Sequence, residues 1–313
     1  MVATKIPLMQ AKWVFASAFE HDARLDPHQD GMKRMNQTDL TVQEFEYGLS
    51  LLSGACQSRP ESLQPWTLRG MSDPLGWMAH DRALRLSKRM PAHVPLVTAQ
   101  QGWVWHADDV GADERSRVLQ DWAMDLRDLG EITGWRDELY ACWGCVEDPW
   151  PYDCPELFRL ERAAFRHLGL RSHATHVNGL TPDGRMWCGR RAMSKATDPG
   201  RLDNLAAGGL AAGEDPLRSA VREVWEEAGL VLQTHELLPV HRCVVTERQV
   251  PEGWHSERLF VWNLPMQATD VPQNRDGEVS EFLCLTRAEV IQRLKAGDFT
   301  PDAACAIAAA WMS

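Results

Sequence analysis

Between Gly208 and Leu230 the sequence GGLAAGEDPLRSAVREVWEEAGL gathers Glu214, Glu223, Glu226 and Glu227 around Arg222. Asp215 is suited to cap a helix, Pro216 to open it and Gly229 to close it, so a helix is expected over 216–228. At about 100° per residue, Leu217, Ala220, Val221, Val224 and Ala228 form one apolar stripe, and Glu223, Glu226 and Glu227 share the adjoining arc. Like charges three and four residues apart repel by a few tenths of a kcal/mol per pair. A cluster kept at that cost calls for a counter-ion. Mg²⁺, with Mn²⁺ as substitute, suits it, because both are hard cations that share their shell between carboxylates, water and phosphate oxygens. An isolated E-x-x-E-E reads first as a solvated acidic face. The residues around it decide otherwise.

Gly208, Glu214, Arg222-Glu223-Val224, Glu226-Glu227 and Gly229-Leu230 fill every fixed position of G-x5-E-x7-R-E-U-x-E-E-x-G-U, where U is bulky and aliphatic. That pattern resembles the Nudix box, whose enzymes cleave a diphosphate linked to another moiety. The resemblance implies an α/β class fold, an α/β/α sandwich with a mixed sheet, preceded here by a smaller α/β domain. It implies that Glu226 and Glu227 are the main metal ligands, helped by Glu223 and a carbonyl near Gly208. Arg222 would hold Glu226 in place, and Glu214 would brace the loop. Catalysis would rest on Glu223, Arg222 and a general base, for which Glu278 in NRDGEVSEF is the choice, with Glu281 nearby.

The segments ITGWRDELYACWG, FRLERAAFRHLGL, HVNGLTPDG, RRAMSKATDPGRLDNLAAGG and DGEVSEFLCL together resemble one Nudix branch. In that branch an N-terminal α/β domain precedes the Nudix domain, and similar segments occur fused to thiamine pyrophosphokinase. The implied substrates are thiamine diphosphate and its oxidised analogues, cleaved to the monophosphate. A pyrophosphatase for ADP-ribose or a nucleoside diphosphate sugar shares the box. So does a non-catalytic ligand-sensing module, although an intact box argues against that one.

Four cations precede the acidic stretch: Arg190, Arg191, Lys195 and Arg201. Arginine suits bidentate contact with phosphate. Strand alternation lets only one of Arg190 and Arg191 face the site; Arg190, Lys195 and Arg201 are the expected substrate contacts. Trp135 is a candidate for stacking on a flat heterocycle. His173 and His176 are expected on one strand face. Cys142-Trp-Gly-Cys145 is a lone C-x-x-C without the second pair that a zinc site needs.

The elements that must position these groups follow from periodicity. A chain of 313 residues suits two domains. Residues 1–38 read as a poorly ordered extension, 39–168 as the N-terminal α/β domain and 169–313 as the Nudix domain. The first domain is expected to hold helices near 39–56, 81–89 and 113–129, and a hairpin around Gln100-Gln101-Gly102. Leu157, Leu160, Ala164 and Leu168 suggest a further helix across CPELFRLERAAFRHLGL, closed by Gly169. Strands then flank a Pro182-Asp183-Gly184 turn, and the chain ends in two helices. With 33 Lys and Arg against 44 Asp and Glu, the net charge of -11 argues against general nucleic-acid binding. No apolar run is long enough to span a bilayer. Eight cysteines form no disulfide framework, which suggests reduced thiols and a cytoplasmic setting. The expected partner is a small-molecule diphosphate; the oligomeric state is left open.

Overall fold

The computed structural model describes residues 41–144, 154–240 and 242–313. The extension expected over residues 1–38 and Cys145 lie outside them.

The first part of the chain builds a four-stranded sheet in the order β2-β1-β4-β3. Its strands are β1 (Leu63–Leu68), β2 (Gly76–Ala79), β3 (Leu96–Ala99) and β4 (Gly102–Trp105). The hairpin between β3 and β4 turns at Gln100-Gln101, as expected. Helices α2 (His80–Arg89) and α3 (Ala112–Asp128) accompany the sheet. Val118, Trp122 and Leu126, four residues apart, are buried on α3, whereas Leu129 at its end is exposed.

The helix expected across CPELFRLERAAFRHLGL is only half present. Glu156–Glu161 is a strand, β6, paired antiparallel with β5 (Leu139–Trp143), and α4 begins at Arg162. Two causes act. Leu157, Phe158 and Leu160 are all buried against the first core, so pairing with β5 overrides the helical spacing. Glu161 then acts as N-cap, accepting hydrogen bonds from the backbone N–H groups of Arg136, Glu138 and Ala163. Gly169 closes α4 (Arg162–Leu168) with φ 61°, as read from sequence.

His167, on α4, is buried against the Trp122 ring, and its Nε2 has no hydrogen-bond partner among the described residues. Burial pulls its pKa down to about 3. The folded protein therefore resists protonation that the unfolded chain accepts below about 6.5. Stability is present in full above that pH and is lost as pH falls toward 3, by up to about 1.4 kcal/mol per pH step. Thermal melts of the protein and of His167→Phe between pH 7 and 4.5 should show the variant losing less stability on acidification. Parallel curves would contradict this role.

The second part is an eight-stranded mixed sheet whose main path is β11-β13-β7-β8-β14. It comprises β7 (Arg171–Leu180), β8 (Met186–Arg191), β9 (Leu202–Asp203), β10 (Ala206–Gly209), β11 (Leu238–Pro239), β12 (Val244–Val250), β13 (Gly253–Pro265) and β14 (Val279–Leu285). The β7–β8 turn lies at Pro182-Asp183-Gly184, as expected. β7 runs parallel to β13 along its whole length. On its other edge it pairs with β10 over Ala174–Val177 but with β8 only at Gly179 and Leu180. The sheet therefore splits, and the chain from Leu202 to Gly209 fills the fork, bonded first to β8 and then to β7.

Helix α5 (Pro216–Ala228) packs on one face through Ala220, Val224 and Ala228, against Val177, Leu205 and Leu264. On the other face, Cys305, Ala306 and Ala309 of the last helix, α7 (Pro301–Trp311), meet Ala174, Leu259 and Val261. Helix α6 (Arg287–Ala296) precedes it. This is the α/β/α sandwich, with the additional α/β region before it. Helix α1 (Val42–Gly54) departs from the expected division of the chain: Tyr47 and Leu51 pack against the core formed by α6 and α7.

Candidate active site

Helix α5 has the expected bounds. Asp215 accepts hydrogen bonds from the N–H groups of Leu217 and Arg218, Pro216 opens the first turn, and Gly229 ends the helix at φ 67°. Arg222 is the hub of its polar edge. It donates from Nε and Nη2 to Glu214 at 2.8 and 2.9 Å, and from Nη1 to Glu223 at 2.7 Å and Glu226 at 2.9 Å. These bonds to Glu214 raise its pKa, so it stays charged. Glu214 thus ties the loop to the helix.

Glu223 and Glu227 are buried. Burial pushes Glu223 up to about 7 and Glu227 well above the usual carboxylate range, with Glu223 adding repulsion to the latter. Glu227 accepts a hydrogen bond from the Ala207 N–H at 2.9 Å. Gly208 is required by close approach, since a Cβ there would overlap the Glu223 carboxylate. Two buried carboxylates beside the backbone of β10 have too few donors to be stable as anions. A divalent cation supplies what is missing. The donor set is all oxygen, which fits Mg²⁺ or Mn²⁺.

The loop before β14 closes the site from the other side. Oxygens of Glu227, Asp276 and Glu278 lie within 4.8 Å of one another. Glu278 pairs with Lys195. Burial alone would raise the Glu278 pKa, but the Lys195 ion pair outweighs it and lowers the value, with help from Arg136 and Arg191.

The structure brings Glu214, Arg222, Glu223, Glu226, Glu227, Gly208, Glu278 and Lys195 together. It does not bring the other candidates. Arg190 pairs across the strands with Glu281 and donates to the Gly200 carbonyl at 3.0 Å. It is Arg191 that turns inward, donating to Asp203 at 2.9 Å and to the Thr197 carbonyl. Alternation allowed one of the two, and pairing with β14 selects Arg191. Arg201 donates to the Phe299 carbonyl at 3.3 Å and neighbours Asp198. Trp135 donates to Asp137 at 2.8 Å, lies under the Arg127 guanidinium and packs on the first core. His173 and His176 do not share a face, because they are three positions apart and the strand period is two. His173 stacks on Phe260, whereas His176 bonds Asn204 at 2.8 Å. Cys142 is a buried free thiol.

Several residues of the site were not singled out from sequence. Asp276 was hidden in an acidic loop. Within GWRDELY the residues that reach the site are Arg136, Leu139 and Tyr140. The Leu139 carbonyl accepts from the Ala212 N–H of the box loop at 2.7 Å, and a Cβ on Gly209 would overlap the Tyr140 hydroxyl. Tyr140, Trp143, His173, Leu210, Gly213 and Glu214 line a small hollow with room for little more than a water molecule.

Comparison with known proteins agrees with this geometry. The NUDIX domain family matches residues 170–307. The chain is 33% identical over 204 residues to "Nudix hydrolase 24, chloroplastic" of Arabidopsis thaliana, a match covering 61% of this chain and 51% of that protein. It is 32% identical over 152 residues to "Uncharacterized Nudix hydrolase YfcD" of Salmonella typhi, covering 49% of this chain and 76% of that one. The chain thus spans about half the length of the plant relative. The crystal structure of DR0079 from Deinococcus radiodurans aligns with 41% of this chain and 75% of its own at 22% identity, with a TM-score of 0.32, too slight a likeness to carry weight.

Proposed function

The chain belongs to the Nudix hydrolase family, and from that premise we propose that it is a metal-dependent diphosphate hydrolase acting on thiamine diphosphate or its oxidised analogues. The observation that carries the hydrolase reading is the convergence of Glu223, Glu227, Asp276 and Glu278 on one place beside Gly208. Glu223, Glu226, Glu227 and the backbone at Gly208 would hold the cation, which we take to be Mg²⁺. When bound, it neutralises phosphate oxygens and lowers the pKa of water. The chain's own residues do the rest. Arg222 aims Glu223 and Glu226. Lys195, Arg191 and Arg136 keep Glu278 ionised, so it can accept a proton from the attacking water. Water adds to one phosphorus, the bridging P–O bond breaks, and monophosphate and inorganic phosphate leave. Lys195 and Arg191, which border these carboxylates, would be the cations that contact the diphosphate.

Support for the thiamine class is the resemblance of GWRDELY and KATDPGRLDN to the branch fused with thiamine pyrophosphokinase, together with the place GWRDELY takes against the box loop. Oxidation of the thiazolium to a neutral ring removes a charge that is costly to bury unpaired. Higher kcat/KM is therefore expected for oxothiamine diphosphate than for thiamine diphosphate, with inorganic phosphate released directly. A phosphate-release assay run beside ADP-ribose tests it. Turnover of ADP-ribose far above both thiamine compounds would end the substrate claim and leave the hydrolase reading standing.

A further inference from the structure

We propose a second metal site, for a first-row transition cation such as Zn²⁺, on the sheet face opposite the box helix, formed by His255, Glu257 and Asp302. Residues 255 and 257 alternate with Leu259 and Val261 along β13, so they face α7, and Asp302 lies in the first turn of that helix. His255 is 1% exposed, and neither of its ring nitrogens has a hydrogen-bond partner among the described residues. Its Nε2 points between two carboxylates, 3.7 Å from Asp302 Oδ2 and 3.9 Å from Glu257 Oε2. One ligand atom from each residue lies within 4.8 Å of the other two.

Those separations are too long for hydrogen bonds. They match ligand atoms facing each other across one cation, since bonds of about 2.0 to 2.2 Å hold such atoms up to roughly 4 Å apart. Both carboxylates are also held by hydrogen-bond donors, on Asp302 at the oxygen that faces His255 as well as at the other. Arg248 donates from Nη1 and Nη2 to the two oxygens of Asp302, at 2.7 Å each. The Ser172 hydroxyl donates to Glu257 Oε1 at 2.7 Å. Arg248 is the guanidinium in contact with Asp302, while Arg162 and Arg166 act on Glu257 and His255 from farther off; a divalent cation would join this group at the unpartnered imidazole. The imidazole nitrogen sets the metal class: Zn²⁺, Co²⁺ or Ni²⁺ accept it readily, whereas Mg²⁺ prefers oxygen alone. In this place the ion would clamp the start of α7 to β13, away from the reaction.

The test separates this site from the box. In a Glu226→Gln, Glu227→Gln background, Zn²⁺ is added, free metal is removed, and bound metal is measured by mass spectrometry. The expected result is one Zn²⁺ per chain and a raised melting temperature. Adding His255→Gln, or the similarly sized Glu257→Gln should the first unfold, is expected to abolish both while the circular dichroism spectrum is unchanged. A folded background protein that retains no Zn²⁺, or full retention in a folded His255→Gln or Glu257→Gln protein, would overturn the proposal.

Discussion

Glu227→Gln is expected to lower kcat by about 10³-fold or more, the scale of losing a principal electrostatic element of a phosphoryl-transfer site. The fold should survive. Glu227 is buried with one backbone donor, and a glutamine oxygen can accept the same Ala207 N–H. Burial has pushed its pKa, and that of Glu223, upward. A carboxyl group raised in this way stabilises the fold in full below its unfolded value of about 4.5, and that stability is lost as pH rises through the folded value. For Glu223 the window closes near 7. In chelator at pH 8, the parent protein should therefore melt no higher than Glu227→Gln, and Mg²⁺ should raise the melting point of the parent alone. Unchanged kcat would show that Glu227 takes no part.

Arg222→Ala should cost both activity and stability. One side chain satisfies Glu214, Glu223 and Glu226. Its loss leaves three neighbouring carboxylates without their shared cation. Breaking a fully buried pair costs about 3–5 kcal/mol. Arg222 retains a third of its exposure, so about 2 kcal/mol is the expectation. Arg222→Lys should restore little, because one point charge cannot serve three partners that a planar fork reaches together. Urea unfolding gives the stability loss, and kcat at saturating Mg²⁺ gives the loss of aim. A lysine variant with parental values in both would show that charge alone matters.

What could be read in the sequence depended on whether local physics decided it. Helix α5 was legible to its last residue, because Asp215, Pro216 and Gly229 fix its ends without help from elsewhere. The box carboxylates were legible for the same reason: one helix sets their spacing. The β6–α4 segment was not, since Leu157, Leu160, Ala164 and Leu168 suit a helix and only pairing with β5 makes half of it a strand. The choice of Arg191 over Arg190 depended on the register with β14. Asp276, Arg136 and Tyr140 reach the site from loops and from the first part of the chain, and no short-range pattern reports that. Whether Trp135 can stack on a ligand depends on tertiary neighbours that spacing does not report; here it lies under Arg127 and packs on the first core.

The most direct test of the central claim is inorganic phosphate release from a panel of diphosphate compounds, thiamine diphosphate included, by metal-stripped protein titrated with Mg²⁺. The account predicts no release in chelator, a saturable rise with Mg²⁺ for at least one compound, and no rise for Glu227→Gln. Equal turnover with and without chelator, or full activity in Glu227→Gln, would contradict it.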